Sequence, residues 1–144
     1  MNYLWLVYLA IWATTAAVAR ATRSPAKQEL AAILFVAWAL ENVWVLLFGF
    51  GAAPLWISLS DVALMSATSI TALRYHSRAA YLIVGLYAVR MVVQVSDYFM
   101  TERTGREFYV ALNVLYTLQL ACLGAAAGHE LARNPRVNRD VRSA

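Results

Sequence analysis

An all-α bundle of five membrane-spanning helices is the fold this sequence predicts, and three observations predict it. Apolar residues make up 62% of the 144-residue chain and charged residues only 14%, with a mean hydropathy of +0.57. A soluble domain is about 45–50% apolar and about 25% charged. The apolar residues also gather in five near-continuous stretches, each close to the roughly 20 residues that a helix needs to cross about 30 Å of hydrocarbon. Finally, the basic residues cluster on alternate connections between those stretches, the pattern that orients a polytopic protein. A chain this short cannot hide so much apolar surface from water. The composition therefore excludes a soluble enzyme and a disordered tail, and the lone Cys122 excludes an internal disulfide.

Span 1 covers residues 3–19. Its Ala17-Val18-Ala19 matches an A-x-A cleavage site, but no lysine or arginine precedes the apolar run. Cleavage would also leave the basic connections of the remaining spans on the outside, so a retained span is expected. Span 2 covers 30–50 after a Ser24-Pro25 break, span 3 covers 55–73 after a Gly51–Pro54 turn, and span 4 covers 79–100. Span 5 covers 108–128 after Thr104-Gly105. These Gly, Pro and Ser clusters are turn signals. Period-two alternation is absent, which leaves helices as the spanning form. The chain divides into a transmembrane domain, 1–128, and a basic tail, 129–144. No repeat or low-complexity segment is visible.

Arg20, Arg23, Lys27, Arg74, Arg78 and the tail residues Arg133, Arg136, Arg139 and Arg142 fall on one side. The other side has Arg103 and Arg106, offset by Glu102 and Glu107. The positive-inside rule then sets the N-terminus outside and the C-terminus in the cytoplasm. Tyr3, Trp5, Trp56, Tyr98, Phe108 and Tyr109 suit the outer interface, and Tyr75 and Tyr81 the inner one. Trp12 and Trp38 fall at mid-span, where packing or lipid contact is favoured over a ligand box. The alanine- and arginine-rich composition points to a bacterial inner membrane.

Ionisable residues in hydrocarbon are costly and therefore candidates for function. Glu41 on span 2 and Arg90 on span 4 fall at corresponding depths near the midplane, so an ion pair is expected. It reads either as a register-fixing clamp or as a gate or proton-coupled site. Arg90, Gln94 and Asp97 recur at i, i+4 and i+7 on one face of span 4. Asp61, Asp97, Asn113 and Gln94 form an expected polar cluster in the outer half of the bundle, while Asn42 points to a different face. Three acids against one base favour a proton or cation over an anion as any transported species.

The hydroxyls of span 3 (Ser58, Ser60, Ser66, Thr68, Ser69 and Thr71) suit helix-to-helix glue better than a wet path. Gly124 and Gly128 form a G-x-x-x-G, and Ala13 and Ala17 a small-xxx-small pair, both signals of close helix contact. The tail arginines suit topology anchoring and attraction to anionic lipid at the cytoplasmic face. His76 and His129 are expected at the cytoplasmic boundary, with no completing ligand spacing, so no metal or cofactor is expected. No phosphate loop, zincin motif or nucleophile–base spacing is present, so no enzyme activity and no nucleic-acid partner are expected.

No family signature emerges. Proline-containing tryptophan motifs of the tryptophan-rich sensory proteins are not evident. The size and basic tail are shared with holin-type lysis proteins, for which five spans are unusual. The leading expectation is an oligomeric channel or transporter for protons or small cations. The alternatives are an accessory, assembly or sensor subunit and a holin-like lesion former.

Overall fold

The computed structural model describes residues 4–99 and 105–133, with side-chain surroundings for 6–49, 53–96 and 108–133. All regular structure there is α-helical. Helix α1 is Leu4–Ala21. The run Pro25–Tyr75 is broken at Gly49 into α2, Pro25–Gly49, and α3, Ala53–Tyr75. Helix α4 is Arg78–Phe99 and α5 is Gly105–Arg133. Helices α2 to α5 are long and apolar enough to cross a membrane. Helix α1, with 18 residues, would extend about 27 Å at 1.5 Å per residue.

Local chemistry sets the breaks. Pro25 opens α2, where a missing N–H removes no helical bond. The α2 helix therefore starts before the apolar stretch, carrying Lys27 and Glu29 with it. The chain reverses at Gly49, whose φ of 67° and ψ of 177° lie in a region open essentially to glycine alone. The expected turn at Gly51–Pro54 is thus corrected: the reversal is at Gly49, and Pro54, five residues beyond it, lies inside the helix that follows. His76 ends α3 in the left-handed conformation, φ 49°.

The burial pattern is inverted relative to a water-soluble fold. Leu46 is 84% exposed, and Leu55, Ile70, Leu82, Val92 and Val114 also face outward, while Arg90 is 1% exposed. Apolar side chains outward and polar ones inward match a lipid surround. Helix α5 packs against α1, against α4 and against the α2–α3 run. One core cluster joins Leu30, Leu34, Leu64, Ile83, Tyr87, Tyr116, Leu120 and Leu123. A second, nearer the Gly49 end, joins Ala53, Ile57, Phe108, Tyr109 and Leu112, with Trp44 and Val45 against it.

The ends of the bundle differ. Arg20, Arg23, Lys27, Arg74, Arg78 and Arg133 all stand at the ends of α1, α3 and α5 or the starts of α2 and α4. This is the basic end. There Lys27 pairs with Glu130 across α2 and α5. Glu29 accepts from the Tyr75 hydroxyl at 2.8 Å and lies 3.7 Å from Arg74. At the hairpin end, Trp44 donates to Ser60 at 2.8 Å, and Phe48 stacks on Trp56 with centroids 5.3 Å apart. These contacts clasp α2 to α3 at both extremities.

Candidate functional site

Glu41 lies eight residues before the break at Gly49 and Asp61 twelve after it. At about 1.5 Å per residue that is roughly 12 and 18 Å of helix from the reversal, near enough for one long side chain to meet both. Helix α4 brings Arg90 between them. Its Nε donates to Asp61 Oδ2 at 3.0 Å, its Nη2 to Glu41 Oε2 at 3.4 Å, and its Nη1 reaches the Leu112 carbonyl on α5 at 3.5 Å. Gln94, one turn along α4, donates to the same Asp61 oxygen at 2.6 Å. Four helices therefore converge on one guanidinium.

The two carboxylates are held differently. The Asp61 side chain is 3% exposed and receives two short bonds, while the Glu41 side chain is 13% exposed and meets Arg90 at the outer limit of hydrogen bonding. An ordinary N–H···O distance is about 2.7–3.2 Å. Asp61 and Gln94 form the rigid grip on Arg90, and Glu41 is the looser member. With all three groups ionised the centre carries one negative charge in excess. Such a charge in hydrocarbon calls for a proton, a cation or further donors.

The expected Glu41–Arg90 contact is present. Gln94 and Asp61 meet, as expected, and Arg90 joins them through the same Asp61 oxygen. Asp97's side chain lies outside the described residues, as do Arg136, Arg139 and Arg142. Asn113 is half-buried on α5, its carbonyl accepting from Thr117 at 2.8 Å. Asn42 is exposed and donates back to the Trp38 carbonyl at 2.7 Å, on its own helix. The α3 hydroxyls mostly satisfy themselves: Ser58, Ser60, Ser66, Thr68, Ser69 and Thr71 each donate to the carbonyl four residues back. Only Ser60 and Thr71 also reach across, to Trp44 and Glu29.

Neither glycine of the G-x-x-x-G makes a close approach to another helix among the described residues. A methyl on Gly124 would meet Thr15 at an ordinary 3.9 Å, and one on Gly128 would meet nothing within 4 Å. Trp12 uses its indole N–H on the Ala31 carbonyl at 2.8 Å, a packing role.

A second polar group went unnoticed in the sequence. Gln119 is fully buried on α5 with neither side-chain atom partnered, and the Tyr87 hydroxyl and Gln94 Oε1 are also buried without partners. Tyr116 donates to the Leu34 carbonyl at 3.2 Å. The available signal was register: Tyr87, Arg90 and Gln94 follow one face of α4, and Leu112, Tyr116, Gln119 and Leu123 one face of α5. Buried polar groups in folded proteins are satisfied by protein or ordered water.

Among the described residues no cluster of His, Cys, Asp and Glu is arranged to hold a metal ion. No protein-family model, curated protein or solved structure matches the chain. The functional reading therefore rests on the Glu41–Arg90–Asp61 centre.

Proposed function

We propose that the chain is a five-span protein of the bacterial inner membrane, N-terminus outside and C-terminus cytoplasmic, that carries protons or a small cation through the Glu41–Arg90–Asp61 centre. The observation that carries this reading is the unequal sharing of one buried guanidinium by two carboxylates. Asp61, with Gln94, positions Arg90. Glu41 is the exchanging group: as a carboxylate it rests against Nη2, on taking a proton it loses the charge that holds it there, and on releasing that proton it returns. No bond other than O–H forms or breaks.

Two further features support the reading. Gln119 lies seven residues beyond Leu112, roughly 10 Å nearer the basic end at about 1.5 Å per residue. With the Tyr87 hydroxyl it marks positions for ordered water between the centre and that end. Towards the hairpin end, Ile57, Phe108 and Leu112 form an apolar seal, which must part for exchange on that side. The basic end is the cytoplasmic one by the positive-inside rule, where the arginines also attract anionic lipid. Ala13, Ala17 and Gly128 are exposed, a small-residue surface suited to a second copy or a partner subunit.

A second reading is favoured by each of the three Arg90 nitrogens reaching an acceptor: the centre is then a clamp fixing helix register in an accessory or sensor subunit. Proteoliposomes with an imposed pH gradient and a valinomycin-clamped potential separate the two. Transport predicts internal pH relaxation above that of protein-free vesicles, and a pure clamp predicts none. A holin-like lesion former would instead release large solutes and purify as heterogeneous assemblies.

A further inference from the structure

At the basic end a cavity of about 470 Å³ opens between the α1–α2 connection, the α3–α4 connection and the end of α5, lined by Ser24, Lys27, Ser77, Arg78, His129 and Glu130 among others. We propose that this cavity is a binding site for a phosphate group.

Four observations carry the assignment. First, Lys27 is only 8% exposed yet charged, and its partner Glu130 holds its ammonium group at the cavity wall. Second, Arg78 and His129 line the same cavity and have no acidic partner among the described residues. Third, two helices begin there, α2 at Pro25 and α4 at Arg78. The first-turn N–H groups of a helix have no intrahelical acceptor, and the end carries roughly half a positive charge. Fourth, Ser24 precedes α2 without making a side-chain capping bond, so its hydroxyl is free to meet a ligand oxygen. The Ser77 hydroxyl already accepts from the Ala80 N–H at 3.4 Å and retains its own proton to donate.

Charge and donor chemistry select the ligand class. Lys27 and Arg78 outweigh Glu130; the starts of α2 and α4 supply N–H donors, while the ends of α3 and α5 beside them carry the opposite partial charge, so the surplus comes from the side chains. An anion offering several oxygens in a tetrahedral array suits donors that arrive from three elements, and guanidinium is the side chain matched to phosphate oxygens in pairs. Glu130 orients Lys27 while leaving the cavity positive. Such a phosphate belongs either to a lipid headgroup at the membrane surface or to a soluble phosphate compound.

The test uses the full-length protein in an uncharged detergent. Native mass spectrometry compares retention of dioleoyl phosphatidate with that of dioleoylglycerol, which has the same chains and no phosphate. In parallel, inorganic phosphate is titrated against chloride at constant ionic strength while thermal unfolding is followed. Arg78→Gln is expected to weaken the phosphate-dependent signal by about tenfold or more, the loss of a charge-assisted hydrogen bond. His129→Gln weakens it less. The exposed Arg133→Gln, outside the cavity, leaves the inorganic-phosphate shift unchanged and lowers phosphatidate retention by less than Arg78→Gln, since it removes only general surface attraction. Selective retention of phosphatidate identifies a lipid headgroup as the occupant. A shift with inorganic phosphate and no lipid preference identifies a soluble one. Equal losses in Arg78→Gln and Arg133→Gln, or no preference for phosphate in either arm, overturn the proposal.

Discussion

Asp61→Asn and Glu41→Gln remove the same charge from around the same guanidinium, yet the structure assigns them different costs. Asp61 Oδ2 takes Arg90 Nε at 3.0 Å and Gln94 Nε2 at 2.6 Å, inside a side chain that is 3% exposed. Its neutralisation leaves Arg90 with one acid at 3.4 Å. Breaking a buried ion pair by removing one partner costs about 3–5 kcal/mol. Glu41→Gln leaves the Asp61–Arg90 pair intact and the centre charge-balanced. The lost contact lies beyond the ordinary hydrogen-bond range, so the cost is about 0–1 kcal/mol, comparable with a weakly coupled pair. The difference, about 3 kcal/mol, is roughly a hundredfold in the folding equilibrium constant. Reversible unfolding in mixed micelles, titrating denaturing detergent, reads it directly. Equal destabilisation by the two variants, or a larger one from Glu41→Gln, would refute the division into a grip and a loose acid.

Gly49→Ala should destabilise by about 1–3 kcal/mol, because the residue occupies a backbone region that a side chain strains. Gly85→Ala, in open space within α4, should instead stabilise by up to about 1 kcal/mol through helix propensity; the same unfolding assay compares them. Gln119→Met replaces a buried amide with no protein partner by an apolar group of similar length and should cost about 1–3 kcal/mol by displacing the water that satisfies it. A neutral or stabilising change in the unfolding midpoint would show a dry site. Trp44→Phe removes the 2.8 Å bond to Ser60 while keeping the aromatic stack, and should cost about 0.5–1.5 kcal/mol, seen as a lower unfolding midpoint.

Much of this architecture is legible in the residues. Composition and length give the helical membrane class, and the spacing of basic residues gives which helix ends lie together, because both depend only on averages over a span. The Glu41–Arg90 contact follows from equal depth on two spans of the same direction. The depth of Asp61 depends on where the chain reverses. A reversal at Gly51–Pro54 makes it shallower than Glu41, whereas the break at Gly49 puts it twelve residues past the turn, with Glu41 eight before it, so that Asp61 lies within reach of Arg90. A proline marks a break only loosely, and the backbone conformation at Gly49 decides where the chain turns. The Lys27–Glu130 pair joins residues 103 apart in sequence, and the buried Gln119 depends on which face of α5 meets α4. Neither follows from local pattern, since α5 carries little polar–apolar asymmetry around its axis.

In the proposed cycle Glu41 exchanges protons while Asp61, with Gln94 on it, holds Arg90. The measurement that tests it most directly is proton flux in proteoliposomes containing wild type or Glu41→Gln, with folding verified by the same unfolding midpoint in each. Flux in the wild type and its loss in a Glu41→Gln protein of nearly unchanged stability are expected. Undiminished flux in Glu41→Gln, or none in the wild type, would contradict it and leave the centre as a clamp between helices.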